Sequence, residues 1–468
     1  MKAPVLIASI LSVGSVSVLA NPVLDLIEGK SDGSDLYSKF FEEKPDSTPL
    51  NAKQRREYTE SPFVERPEAT KTVYTDADNK YIQSVAVQGA SVVSAHSGSI
   101  KSDTSGQESQ FSSSNVYTHL GAVAELKYGA QAETRLAFNN LEYGGVESLS
   151  LSMDVTNAVQ PVHSTFQQIL LGIYKVAQLA TKPIDMISGD TDVLPDASVN
   201  GIEVARLRVG KFKPRFGSQY SVDPTLRMTP NLPVIVQQNA PANALGLEYS
   251  EYNDFWNWSL GYYADSTDRN IPSWSANNGV MHIGIGYNFG LVNVPSKPAQ
   301  REFQEVRVDY YNNNSGAGSS VINAVDHVMA FSFLSQSDRV TVNTDFILGN
   351  GASTSWGLNL TAGYWLMSDK LQLVGQLEHA GASEDNGINV GWGLPGALSH
   401  TTSARSIELD GTLSGNRFNS AYVGLNWYLF EQRLRLMAGA EYRALTNAGS
   451  NEEVFDSLTW QGQGIFAF

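Results

Sequence analysis

Hydrophobic and polar residues alternate along most of the chain from about residue 80 onward. In SWGLNLTAGYWL (355–366) one set of alternating positions carries Leu358 and Leu360, and the other carries Asn359 and Thr361. Successive side chains of a β-strand point to opposite faces, so a period of two predicts strands with one apolar and one polar face. The segments that alternate are short and are separated by turn residues.

Sixteen such strands can be placed. Their approximate starts are 80, 116, 130, 147, 202, 243, 255, 280, 303, 326, 339, 355, 370, 419, 432 and 456. Short turns alternate with longer connections, among them 156–200, 213–242 and 380–418. An even number of amphipathic strands with short turns at one end and long loops at the other is typical of an outer-membrane barrel. The predicted fold is therefore all-β: a transmembrane antiparallel β-barrel of about sixteen strands with an N-terminal polar arm.

A large soluble β-sandwich or β-solenoid is the alternative fold. The membrane barrel is favoured because charges such as Glu125, Arg135 and Arg307 share the polar face, and because aromatic residues cluster at strand ends, as in the interfacial girdle of a barrel. The chain also ends on the aromatic Phe468.

The N-terminal part divides into two segments. Lys2 precedes an apolar run that ends at Ala20, which predicts a signal peptide over 1–20 and export; a membrane anchor is the alternative. Residues 21–79 are polar and charge-rich and predict a flexible, periplasmic arm, followed by the barrel over 80–468.

Composition narrows the chemistry. The absence of Cys excludes disulfides and Cys-based metal sites, and the net charge of -16 argues against nucleic acid as a partner. No metal or cofactor site is expected. His282 with a nearby Ser could form part of an enzyme site, but no spacing in the sequence supports it, so the chain is expected not to be an enzyme.

Basic residues are concentrated in RLRVGKFKPRFG (206–217). Arg206 and Arg208 both occupy polar positions of the alternating pattern and are predicted to face the lumen. An arginine that faced lipid at the midplane of the membrane would destabilise the barrel by about 2–4 kcal/mol. They either attract anions or pair with lumen acids such as Glu125 or Glu133. The full set of predicted pore-lining, anion-attracting residues is Arg206, Arg208, Lys127, Arg135, Arg307, Arg433 and Arg435.

Lys211, Lys213 and Arg215 follow at the predicted strand end, where Pro214 stops ladder pairing. They either extend the positive pore wall or form an interface cluster that meets lipid head groups or the periplasm. The interface interpretation is favoured.

The connection 156–200 is predicted to fold into the barrel as a constriction loop. It contains TFQQILLGIYKVAQLA, which predicts a short helix, and it would bring Lys175 and Lys182 to the constriction. An outer lid or a subunit contact is the alternative.

Three stretches resemble the phosphate-selective porin O and P family: IEVARLRVGKFKPRFGSQYS, GYWLMSDKLQLVGQLE and AYVGLNWYLFEQRLRLMAGAEYR. The resemblance implies a sixteen-stranded, homotrimeric porin of the bacterial outer membrane, with outer-membrane lipids and small hydrophilic or anionic solutes as partners. Phosphate-selecting members use ladders of arginine and lysine along the pore, and 156–200 carries no such ladder. The alternative function is a structural barrel that tethers the envelope, with the 21–79 arm binding a periplasmic partner.

Overall fold

The computed structural model describes residues 70–102, 107–127, 130–140, 142–155, 204–222, 226–252, 256–264, 279–293, 301–313, 325–337, 339–351, 353–367, 370–385, 387–390, 414–429, 434–447 and 452–467. Within these ranges, no helix has both the length and the apolar character needed to cross a membrane.

Strands dominate the described residues. The strands are β1 (Thr70–Thr75), β2 (Ile82–Ser102), β3 (Gln107–Leu126), β4 (Ala130–Asn139), β5 (Glu142–Asp154), β6 (Val204–Phe212), β7 (Ala244–Tyr252), β8 (Trp256–Ala264), β9 (Gly279–Asn293), β10 (Arg301–Asn313), β11 (Val325–Gln336), β12 (Val340–Gly351), β13 (Ser355–Met367), β14 (Leu371–Ala382), β15 (Ile388–Asn389), β16 (Ser414–Gly415), β17 (Arg417–Leu429), β18 (Leu434–Asn447) and β19 (Glu452–Ala467). The two short helices are α1 (Ser218–Ser221) and α2 (Val234–Asn239).

Sixteen of these strands form a closed antiparallel barrel. Each of β2 to β14 pairs with the next, β14 pairs with β17, and β17, β18 and β19 follow in order. The ring closes where β19 pairs with β2, with Trp460 opposite Ser97. The predicted barrel and its strand count are confirmed. Fifteen of the predicted starts lie within five residues of the start of one barrel strand, and the sixteenth, 116, lies inside β3, which begins at Gln107.

The described end of the predicted arm joins this sheet. Residues 1–69 lie outside the described part, but Thr70–Thr75 form β1 and pair with β2 from Gln88 to Ser84. The last strand pairs with the same edge of β2, up to Ala90. The first and last described strands therefore lie end to end along one neighbour.

The two faces of the barrel have opposite polarity. Leu358, Leu377 and Val423 are exposed on the outer face, at 46%, 58% and 58%. Asn359 and Glu378, which alternate with them, are buried on the inner face. A soluble sandwich would bury the apolar face instead. A closed barrel pairs all of its backbone groups and presents apolar side chains outward, which is what a bilayer requires, so this is a transmembrane β-barrel of the outer-membrane type.

The connections identify the two ends of the barrel. Short turns at 337–339, 368–370 and 430–433 lie at the end that also holds β1 and the end of β19. The opposite end carries the longer connections 213–243, 265–278, 314–324 and 383–416. Short turns face the periplasm in barrels of this type, so the end with the longer connections is the external end. Because neighbouring strands are antiparallel, β5 ends and β6 begins at the periplasmic end. The connection between these two strands is the exception to the short turns there, and its residues 156–203 lie outside the described part.

Candidate functional site: the inward segment and its wall

The described residues of the connection between β6 and β7, 213–222 and 226–243, fold into the barrel; we call the connection 213–243 the inward segment. Phe216, Val234 and Ile235 of this segment are at most 1% exposed. They share one hydrophobic cluster with Ile347 and Phe418 of the inner wall. Burial of these side chains, at about 1.5–3 kcal/mol each, favours the docked position of the segment.

Wall carboxylates bind the backbone of the segment at α1. Asp345 on β12 accepts hydrogen bonds from the N–H of Ser218 at 2.7 Å and of Gln219 at 3.0 Å, and also from the Ser218 hydroxyl at 2.8 Å. Asp309 on β10 accepts from the N–H of Gly217 at 3.0 Å. The N–H groups at the start of a helix have no partner within the helix, so these carboxylates satisfy donors that would otherwise be buried without a partner.

A wall carboxylate also accepts backbone N–H groups at α2. Glu378 on β14 accepts hydrogen bonds from the N–H of Val234 at 3.0 Å and of Ile235 at 2.8 Å. Glu378 is 5% exposed, so these charge-assisted bonds lie away from water. Two separate points of the inward segment are thus fixed to three wall strands, β10, β12 and β14.

Glycines on the wall make room for the segment. A Cβ at Gly357 would lie 2.7 Å from Cγ1 of Ile235, and a Cβ at Gly349 would lie 2.3 Å from Oδ1 of Asn239. Gly217 has a φ of 58°, a left-handed conformation that favours glycine, directly before α1. The wall beneath α2 is therefore shaped for this segment.

Among the predicted pore-lining residues, Arg208 and Arg135 meet at one acid. Arg208 Nη2 lies 3.2 Å from Glu133 and its Nε donates to Ser150 at 3.2 Å. Arg135 Nη2 lies 3.9 Å from the other oxygen of Glu133. Arg208 therefore contacts Glu133, one of the two lumen acids named as its possible partners, whereas attraction of anions by this residue stays a prediction. Arg206 is half-buried on the same strand.

Arg307 is held in a buried network. It is 2% exposed and lies 2.7 Å from Asp309, and it also donates to Asn257 and, at 3.0 Å, to Ser259. Gly284 makes room for this network, since a Cβ there would lie 2.1 Å from Nη2 of Arg307. The guanidinium is neutralised within the wall.

The other predicted basic residues are scattered. Arg435 is buried, with its guanidinium over the ring of Tyr428 at 5.5 Å. Lys127 is exposed at the end of β3. Arg433, Lys175, Lys182 and the whole predicted constriction loop 156–200 lie outside the described residues.

The interface interpretation of the last basic residues of 206–217 is wrong for Arg215 and Lys213. Arg215 is buried and lies 3.9 Å from Glu305, a wall acid that is 0% exposed. The ammonium of Lys213 donates to the carbonyl of Tyr220 within the inward segment. Lys211 is also buried. The chain turns inward directly after β6, so these charges meet acids and carbonyls rather than head groups.

The roles of Asp345 and Glu378 were not predicted from the sequence. On the polar face of a strand they look like any lumen acid, and their partners are backbone groups more than a hundred residues away. The signal in the sequence was that 213–242 is a long connection with apolar residues such as Val234 and Ile235; the wall residues that lie opposite it are given only by the closed barrel.

His282 belongs to the network around Arg307. Its Nε2 lies 3.1 Å from Asp309, and the hydroxyl of the nearby Ser259 accepts a hydrogen bond from Arg307 at 3.0 Å. Within the described ranges, no group of three or more His, Asp or Glu side chains is placed to hold a metal ion.

Comparison with solved structures returns bacterial outer-membrane proteins. They include an anion-selective porin from Comamonas acidovorans (9% identity, TM-score 0.46, 82% of this chain and 100% of that one), Salmonella typhi OmpF in complex with daunomycin (11%, 0.46, 85% and 100%) and Pseudomonas putida OprB (10%, 0.47, 82% and 94%). No family model and no curated protein matches the chain. At such identities and TM-scores the likeness carries no argument about function, and the fold stands on the strand register above.

Proposed function

We propose that this protein is an outer-membrane porin through which small hydrophilic solutes diffuse passively, and that the inward segment narrows its lumen. The observation that carries the proposal is the docking of residues 213–243 against the inner wall through Asp345 and Glu378. A barrel with an apolar exterior and a polar interior encloses a path for polar solutes, and a segment fixed across that path sets its width.

The solutes are proposed to include anions, with modest selectivity. Arg206 and Arg208 bring positive charge to the inner face, but Glu133 lies beside Arg208 and Arg135. Elsewhere Arg443 lies 2.8 Å from Glu441. Charges paired at these distances largely cancel for an ion passing along the wall. A pore of this kind favours anions only weakly.

Planar-bilayer recording tests the proposal. The purified chain is expected to give stepwise conductance, and a salt gradient to give a small reversal potential of the anion-selective sign. Replacing Arg206 and Arg208 together with Gln keeps the strand pattern and is expected to shift the reversal potential toward cations. A folded protein without conductance steps would contradict the porin. Unchanged selectivity in the double variant would mean that neighbours neutralise both arginines.

The finer proposal is membership of the phosphate-selective O and P family as a homotrimer. It is supported by the resemblance of 202–221 and of the segments around β13–β14 and β17–β18. Addition of phosphate in a chloride solution is expected to reduce chloride conductance if a phosphate site lines the pore. An unchanged conductance would limit the protein to general diffusion.

A further inference from the structure

A cluster of exposed polar side chains lies on the outer face of the barrel at its external end. It consists of Trp356 on β13, His379 on β14, and Arg417 and Asn419 on β17; we call it the rim patch. The same face of these strands continues with Leu358, Leu377 and Val423, which are the exposed apolar belt. The rim patch therefore lies where the hydrocarbon ends and the head groups begin.

Three of the four side chains of the rim patch, those of Trp356, His379 and Asn419, contact one another. The ring centroids of Trp356 and His379 are 5.1 Å apart in an edge-on arrangement. Nδ1 of His379 lies 2.7 Å from Oδ1 of Asn419. This oxygen only accepts, so the imidazole donates, and the amide NH₂ of Asn419 keeps its own two donors.

Gly381 places the indole. A Cβ at this position would lie 2.8–2.9 Å from atoms of the Trp356 ring, including Nε1, so the indole lies flat over a residue without a side chain. Gly381 pairs directly with Arg417 across the two strands. The backbone of Arg417 therefore lies next to the glycine under the indole, and its exposed side chain is on the same outer face as His379.

We propose that the rim patch binds the phosphate-bearing head group of a lipid in the external leaflet. A guanidinium matches the planar geometry of phosphate oxygens, and the amide and indole N–H groups add further donors. The indole surface and the apolar belt below it contact the acyl chains of the same molecule. A basic side chain beside aromatic rings at the membrane interface fits a charged lipid. The apolar belt would contribute binding energy to the acyl chains of a lipid but none to a soluble anion.

The test uses the full-length protein in detergent, titrated in native mass spectrometry with diphosphorylated lipid A and with the same lipid stripped of phosphate. We expect the phosphorylated form to bind more tightly.

Arg417→Gln is expected to lower the affinity for the phosphorylated lipid about tenfold, because one charge-assisted contact is lost. Arg339→Gln is the matched control, since Arg339 is an exposed arginine at the periplasmic end. Trp356→Phe keeps a ring but removes the indole N–H, and is expected to weaken binding less than Arg417→Gln.

Three outcomes would overturn the proposal. Equal affinity for the phosphorylated and stripped lipids would show that the belt alone binds lipid. Equal losses in Arg417→Gln and Arg339→Gln would show a nonspecific charge effect. Displacement of the phosphorylated lipid by inorganic phosphate alone would assign the patch to a soluble anion. Each variant is first checked for an intact barrel by its heat-dependent mobility on a gel, and His327→Gln, which alters another exposed outer imidazole, serves as a second control.

Discussion

Replacement of Glu378 by Gln is expected to loosen the inward segment while leaving the barrel intact. The carboxylate accepts hydrogen bonds from the backbone N–H groups of Val234 and Ile235, one on each oxygen. A Gln of the same shape keeps one acceptor and turns an NH₂ group toward the other N–H. One charge-assisted bond is lost, the second loses its charge, and a buried donor is left without an acceptor.

The magnitude follows from those bonds. A hydrogen bond to a charged group contributes about 1.5–3 kcal/mol, and an unsatisfied buried donor costs about 1–3 kcal/mol. The two contributions partly count the same lost contact, so they do not add in full. An effect of about 2–4 kcal/mol would move the docking equilibrium of the segment by roughly 30-fold to 1,000-fold. The apolar cluster around Ile235 remains, so the segment is expected to fluctuate rather than to leave the barrel.

Single-channel recording in planar bilayers is the assay. Glu378→Gln is expected to increase open-channel noise and to add brief transitions to a higher conductance. Glu384→Gln is the control, because Glu384 is an exposed acid at the same end of the barrel. If Glu378→Gln gives the same trace as the unmodified protein and folds normally, the carboxylate does not hold the constriction and the reasoning is refuted.

Four further predictions follow from the same geometry. Gly357→Val is expected to displace Ile235 and to destabilise the docked segment by about 1–3 kcal/mol, seen as raised conductance. Gly375→Ala is the control and should leave conductance unchanged, because the added Cβ would lie 3.9 Å from the carbonyl oxygen of Tyr422, an ordinary van der Waals contact. Leu425→Arg places a charge on the lipid-facing belt and is expected to lower the free energy of unfolding in lipid by about 2–4 kcal/mol, with Leu425→Phe as the neutral control. Unheated protein is expected to migrate as a trimer on a denaturing gel and as a monomer after boiling; a monomer in both lanes would contradict the trimer. Deletion of 166–180 tests the predicted constriction loop 156–200: raised conductance would support it, and an unchanged value in a folded barrel would assign the constriction to residues 213–243 alone.

The strand pattern could be predicted from the sequence because its cause is local. Side chains along a strand alternate between two faces, and lipid outside and polar groups inside impose opposite preferences on those faces. Met281, Ile283 and Ile285 could therefore be assigned to one face, and His282 to the other, without knowledge of any partner strand. The exposures of these residues confirm the assignment.

The face of the barrel on which each basic side chain lies could be predicted for the same reason, but the acids and amides that it contacts could not. Arg208 is on the expected face, and Glu133, one of the acids named in advance, is its partner. Arg307, by contrast, is neutralised by Asp309 on its own strand and donates a hydrogen bond to Asn257 on β8, which the pairing of β8 with β9 and of β9 with β10 brings close.

The identity of the inward segment was decided by tertiary structure. Both 156–200 and 213–242 are long connections with apolar residues, and the sequence favoured the first as the constriction. The second turns inward in the structure because Asp345 and Glu378 accept its backbone N–H groups and Gly357 leaves space for Ile235. These residues lie on strands more than a hundred positions later in the chain. Alternation along a strand fixes which face a side chain takes, but only closure of the barrel brings acceptors and space opposite one particular connection.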